Sequence, residues 1–324
     1  MQKFILRLTI FGAGLWSLAF MVDHVVTRGL MKIEDAEFQE FSTLSAICSS
    51  SIDADVLIMG SSVAYRLVNP FILDTILKAN TYNIGLAGAE AFEQHVGYMT
   101  FEKYNQKPRC IIQVVDFFFL RQQKGQKSVH LSMVDDDIDH RFVPFYPFLK
   151  KRKYLAGASI LMTYIPLYRY YYWKDELLLR GWQAFFKNHP VINRKGFFET
   201  DLEWDGTRLR NILQQDSLVA GKNPEAIELF DSYLSHCKEN NIQIIIVLAP
   251  MYVEASDYVK DKVEVKNIYR SLSEKYDIPF IDYSTGSINS DTTYFFNSTH
   301  VNKKGSIFYS TKLAQYIDSL GILN

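Results

Sequence analysis

The sequence predicts an α/β fold: a doubly wound parallel sheet with a mainly helical insertion at about 120–223, preceded by an N-terminal transmembrane helix. Three observations carry that expectation. Short apolar runs at 56–59, 110–119 and 242–249 have the pattern of strands covered on both faces. Segments of helical character fall between them, and strands alternating with helices imply parallel pairing. Near the start lie about 19 mostly apolar residues, 8–26, close to the ~20 that cross a hydrocarbon core.

Composition narrows the class. A chain of 324 residues suits one large α/β domain or two small ones. With 48% hydrophobic and 22% charged residues, disorder is excluded as the main state. A net charge of −1 lacks the basic excess of a nucleic-acid-binding surface, so no nucleic-acid partner is expected. Cys48, Cys110 and Cys237 have no C-x-x-C spacing and form no disulfide framework. Cys110 and Cys237 read as small buried hydrophobes.

Taken in order, Lys3 and Arg7 precede the apolar run. Basic residues on that side predict a cytoplasmic N-terminus and an extracytoplasmic remainder, periplasmic or cell-surface. No small-x-small site follows Phe20, so residues 1–30 read as an uncleaved signal anchor. Residues 31–51 turn polar and acidic, as suits a juxtamembrane helix or linker. The α/β domain then spans 52–324. Its first strand, 56–59, runs into Gly60-Ser61-Ser62 and a polar turn. A helix at 70–77 follows, then a strand from 81 ending in a glycine-rich loop at 85–88, a helix at 90–104 and the strand at 110–119. After the insertion come a helix at 224–240, the strand at 242–249, a helix at 258–276, a short strand at 279–282 and a closing helix at 304–320.

Catalytic groups in open α/β sheets sit at the carboxyl ends of the strands. Ser62 stands at such an end, and His300 lies in a loop before the last helix. A serine becomes a nucleophile when a histidine in hydrogen-bond reach takes its proton, the histidine being oriented by a third group. Backbone N–H groups in a glycine-rich turn can stabilise the oxyanion that forms.

The three segments together resemble the SGNH (GDSL-type) hydrolase superfamily. Gly60-Ser61-Ser62 is similar to its Gly-Asp-Ser block, which implies Ser62 as nucleophile. Asn83-Ile-Gly-Leu-Ala-Gly88 is similar to its Asn-x-x-x-x-Gly block. That match implies an oxyanion hole from the N–H groups of Ser62 and Gly88, with Asn83 in support. Asn297-Ser-Thr-His300 is similar to the Asp-x-x-His block, which implies His300 as general base and then general acid, with Asn297 orienting it. The resemblance covers about 52–119 and 224–320 and implies a flavodoxin-like three-layer fold, without cofactor or metal. A one-span anchor with Gly-Ser-Ser further resembles the membrane-anchored branch that includes the D-alanyl-lipoteichoic acid transfer protein and alginate O-acetylation proteins. That branch implies acyl transfer or ester cleavage at O-acyl, chiefly O-acetyl, groups of a cell-envelope glycan or acylated polymer. It also implies a membrane-bound O-acyltransferase as partner.

Three departures stand out. Ser61 replaces the aspartate of the first block. The Gly-x-Asn-Asp block is missing, its strand ending in Asp116-Phe117-Phe118, so one oxyanion donor is unassigned. Asn297 replaces the orienting aspartate, leaving open a carboxylate from elsewhere, such as Asp291 or Asp282. The alternative it leaves is a degenerate site on a scaffold that binds glycan or a membrane partner. Asp135, Asp136, Asp137, Asp139 and His140 read as an acidic surface turn in preference to a cation site. Lys150–Lys153 read as a solvated basic turn. The aromatic run at 168–173 suits core packing, sugar stacking or a bilayer interface equally.

Overall fold

The computed structural model describes residues 1–30, 32, 39–121, 165–168, 170, 174–187 and 194–323. The acidic cluster at 135–140, the basic cluster at 150–153 and the aromatic residues 171–173 lie outside the described residues. The chain divides into two compact units, Met1–Ser49 with Gly125–Ile192, and Ser50–Lys124 with Asn193–Asn324.

In the first unit, α1 (Gln2–Leu30) is long and apolar enough to cross a membrane. At ~1.5 Å per residue it measures roughly 43 Å. Its first two-thirds expose Phe4, Leu8, Phe11, Trp16 and Phe20, while Val26 and Leu30 near its end are buried. Gly29 of α1 lies against the backbone of Gly181 in α6 (Lys174–Phe186). Between them in sequence, α2 (Gln39–Cys48) occupies much of the stretch read as linker.

The second unit is α/β. Its strands β1 (Val56–Met59), β2 (Thr81–Asn83), β3 (Cys110–Val115), β5 (Gln243–Leu248) and β7 (Phe280–Asp282) form one sheet of order β2-β1-β3-β5-β7. Every pairing is parallel. Two small strands, β4 (Leu218–Val219) and β6 (Val259–Lys260), pair apart from it. A hairpin, β8 (Phe295–Asn297) with β9 (His300–Val301), is antiparallel. The chain goes from β1 outward to β2, then returns past β1 to β3. That reversal makes the carboxyl end of β1 a switch point of the sheet, where ligands bind in such folds.

Side chains alternate across the strands. Val56, Ile58, Cys110, Ile112, Val114, Ile245 and Val247 join one core with Leu73, Tyr309, Leu313 and Ile317. These last four come from α4 (Pro70–Leu77) and α11 (Lys303–Ser319). On the other face the Tyr233 hydroxyl meets Met59, and Gln113 donates to Gln94 at 2.7 Å. That face carries α5 (Ala91–Tyr104), α8 (Pro224–Glu239) and α10 (Lys262–Tyr276). Leu313 is 1% exposed, so Leu313→Ala is expected to cost roughly 2–5 kcal/mol of stability. Denaturant titration of the full chain in detergent measures it.

Several elements differ from the sequence reading. Ser62 opens a short helix, α3 (Ser62–Leu67), capped by Ser61. Residues after Val115 leave the sheet in a turn because Asp116 Oδ1 accepts the Phe118 N–H at 2.7 Å. The region from 194 belongs to the α/β unit and not to an insertion: Lys195 O accepts the Asn83 N–H at 2.9 Å, and Tyr65 O accepts the Phe198 N–H at 3.0 Å. It includes α7 (Thr207–Leu213). A short helix, α9 (Val253–Asp257), follows β5, and α10 begins after β6 instead of at 258.

Candidate active site

Ser62 is placed by the way β1 ends. Gly60 has φ +153°, and a Cβ there would lie 2.5 Å from Ala64 Cβ and 2.8 Å from Val114 O. Only glycine lets the chain turn against β3 at that point. Ser61 then caps α3, its Oγ accepting the Val63 N–H at 3.3 Å and donating to Asp116 Oδ2 at 3.1 Å. Ser62 follows as the first helical residue.

His300 arrives from the opposite end of the chain, on the β8–β9 hairpin. Its Nε2 lies 2.9 Å from Ser62 Oγ. Its Nδ1 lies 3.1 Å from Asn297 Oδ1 and 3.1 Å from Thr299 Oγ1. The same Oδ1 accepts the N–H groups of Thr299 and His300, each at 3.0 Å. An atom facing two N–H donors must be the amide oxygen, so it accepts from His300 Nδ1–H as well. The Nε2 lone pair is then free to face the Ser62 hydroxyl. Phe296 stacks on the imidazole, 5.5 Å between centroids and 19° between planes, and Arg66 lies 5.2 Å from the Phe296 ring.

Burial, followed by the positive charges of Arg208 and Arg66, pushes the His300 pKa down to about 3. The ring is therefore a neutral proton acceptor at ordinary pH, but the imidazolium it would become is disfavoured. An amide orients without supplying negative charge. Asp282 pairs with Lys266 at 3.1 Å and accepts from Ser284. Asp291 accepts the Thr293 N–H at 2.9 Å. Neither is among the partners of His300, so neither restores the missing carboxylate.

Ser62 and His300 line a pocket of about 170 Å³ with Gly88, Asp116, Phe118, Arg208 and Met251. Gly88 has φ +63° and nothing within 4 Å of a Cβ built on it; the backbone conformation, not space, calls for glycine. Among the described residues no hydrogen bond engages the N–H of Ser62 or Gly88, so both are available to an oxyanion. Asn83 is not. Its amide donates to Ala64 O at 3.1 Å and Val68 O at 3.2 Å, and its Oδ1 accepts the Gly85 N–H at 2.9 Å. The expected oxyanion support is instead a buried clamp between α3 and the loop after β2.

Asp116 and Arg208 also line the pocket, and neither carries a site signal in the sequence. Asp116 ends β3 beside Ser61; burial raises its carboxyl above the ordinary value, against the Phe118 N–H and the Ser61 hydroxyl. The Asp116-Phe117-Phe118 strand end was visible as a departure from the family block, but nothing there gave it a task. Arg208 lies in a stretch read as insertion, where no spacing signals a site.

No family model matches the chain, and no curated protein does. Among solved structures, a Streptococcus pneumonia protein provisionally described as a platelet activating factor aligns at 10% identity. The alignment covers 87% of this chain and 92% of that one, with a TM-score of 0.43. A provisionally assigned acylhydrolase from Bacteroides fragilis aligns at 10% identity over 83% of this chain and 88% of that one, with a TM-score of 0.37.

Proposed function

We propose that the chain is a membrane-anchored, extracytoplasmic, SGNH-like acyltransferase or esterase acting on O-acyl, chiefly O-acetyl, groups of a cell-envelope glycan or polymer. The observation that carries this reading is the hydrogen-bonded line Ser62–His300–Asn297, with Oγ to Nε2 at 2.9 Å, beside the Gly88 turn. His300 Nε2 takes the Ser62 proton as Oγ attacks the acyl carbon. The N–H groups of Ser62 and Gly88 hold the oxyanion. Collapse expels the alcohol, which receives the proton back from His300. Water or a sugar hydroxyl, deprotonated by His300, then releases the acyl group from Ser62.

Pocket size supports a short acyl group: about 170 Å³, walled by Phe118 and Met251. A cleft of about 710 Å³ begins two residues beyond His300, at Asn302, and includes Trp204, Glu203 and Lys304. Its volume and its mix of Trp204 with polar side chains suit a large ligand. The apolar α1, with Lys3 and Arg7 ahead of its core, supports anchoring with the catalytic unit outside. A membrane-bound O-acyltransferase is the partner this arrangement suits, as the source of acyl groups.

The test is covalent labelling of the full chain in detergent with a fluorophosphonate. Stoichiometric labelling, lost in both Ser62→Ala and His300→Ala, is the expected result. A folded protein that takes up no label contradicts the proposal. Asn297 favours a second reading, in which the same fold binds a glycan or membrane partner without turnover; a silent label together with saturable glycan binding is its signature.

A further inference from the structure

Three ionisable side chains besides His300 line the Ser62 pocket: Glu90, Asp116 and Arg208. Glu90 takes part in the capping box at the start of α5. Asp116 accepts from Ser61 at 3.1 Å and from the Phe118 N–H at 2.7 Å. Arg66, the other cation whose charge reaches His300, is held by Thr200 and by the faces of Tyr65 and Phe296. Arg208 differs from all of these. Among the described residues it has no hydrogen bond, ion pair or ring partner.

Its neighbour on the same helix shows that this is not a property of the segment. Arg210 donates to Asp205 O at 3.2 Å and to Thr207 Oγ1 at 2.9 Å. Arg208 faces the pocket, close enough to His300 for its charge to depress that ring. Arg208 is exposed, so its guanidinium is open to a ligand at the mouth of the pocket and has no acceptor of its own among the described residues. A planar cation in that state is complementary to a carboxylate or phosphate, which offers two oxygens to its fork of donors.

We propose that Arg208 is the specificity-determining residue of this site, binding an anionic oxygen group, carboxylate or phosphate, carried by the ester substrate next to its acyl group. The inference rests on the reading of Ser62 as a nucleophile only for its kinetic arm. The substrate class is then an O-acylated anionic compound, in which the ester oxygen and the anion approach the pocket together. Arg208 binds the anion in the ground and transition states alike, so the effect falls on KM more than on kcat.

Three acetyl esters of matched size test this on the full chain in detergent: 4-acetoxybenzoate, 4-acetoxyphenyl phosphate and the neutral 4-acetoxybenzamide. One charge-assisted contact predicts a kcat/KM preference of about 10–100-fold for an anionic ester over the amide. In Arg208→Gln that ratio collapses to about one, and Arg208→Lys keeps part of it. The favoured anion tells carboxylate from phosphate. A ratio near one in the native protein, or a preference that survives Arg208→Gln, overturns the proposal. A binding arm uses Ser62→Ala protein, which cannot turn the ester over, titrated with 4-acetoxybenzoate and 4-acetoxyphenyl phosphate. Binding of either that weakens about 10–100-fold on adding Arg208→Gln upholds Arg208 even where the native protein hydrolyses none of the three esters. In that case only the catalytic reading of Ser62 falls.

Discussion

Under the proposed function, replacing Asn297 with aspartate is expected to raise the rate at which Ser62 is acylated or labelled by roughly 10²–10⁴-fold, the reverse of what loss of a triad carboxylate costs serine hydrolases. The hairpin is already shaped for an anion. Asn297 Oδ1 receives the N–H groups of Thr299 and His300 at 3.0 Å each and the Thr299 hydroxyl at 3.2 Å. Donors of this kind favour a carboxylate in the same place. The new charge, 3.1 Å from Nδ1 by the native geometry, lifts the His300 pKa from its value of about 3 and stabilises the imidazolium of the transition state. Stability shifts with it. In the native protein His300 stays neutral when folded and protonates near its ordinary value when unfolded, so stability is lost as pH falls below about 6.5. The aspartate variant loses less over that window. Fluorophosphonate labelling rates and thermal melts from about pH 4 to 8 read both effects; an unchanged labelling rate in a folded Asn297→Asp protein sinks the assignment of His300 as the base.

Gly60→Ala is expected to abolish activity and to cost roughly 3 kcal/mol of stability, at the upper end for overpacking. The added methyl would meet Val114 O at 2.8 Å and Ala64 Cβ at 2.5 Å. Neither neighbour is a flexible side-chain tip. One belongs to β3 and the other to the helix that carries Ser62, so relief has to move Ser62 away from His300. A melt and a labelling assay on one sample separate this from a catalytic effect. Both should fall together, whereas Ser62→Ala loses labelling alone. An alanine variant that melts and labels like the native protein would mean that the turn does not set the nucleophile.

What the sequence disclosed depended on how local the signal was. The apolar runs of β1, β3 and β5, interrupted only by Gln113 within β3 and Gln243 at the start of β5, read directly because both faces of the sheet are covered. The end of β3 was overrun since Phe117–Phe119 are as apolar as the strand; the Asp116 side chain, bonding to the Phe118 N–H, stops it. Ser62, Gly88, His300 and Asn297 were legible because turns and short motifs hold them. Asn83 sat in the same motif but turns inward, and only three-dimensional hydrogen bonding reveals that. Arg208 left no trace at all. It lies on a seven-residue helix of mixed composition, and its place beside Ser62 comes from long-range packing that no spacing encodes.

The separation of Ser62 from His300 has a consequence in time. The two atoms that meet at 2.9 Å stand 238 positions apart in the chain. At ~5–20 residues per second of synthesis, roughly 10–50 seconds pass between their appearance. During that interval β1 and its serine exist without a base, and β5, which lies between β3 and β7 in the finished sheet, is still to be made. An unpaired serine is an ordinary alcohol. Under the proposed chemistry, Ser62 gains its base only when β5, β7 and the β8–β9 hairpin have been laid down, so a chain that stops short of them carries an unactivated serine.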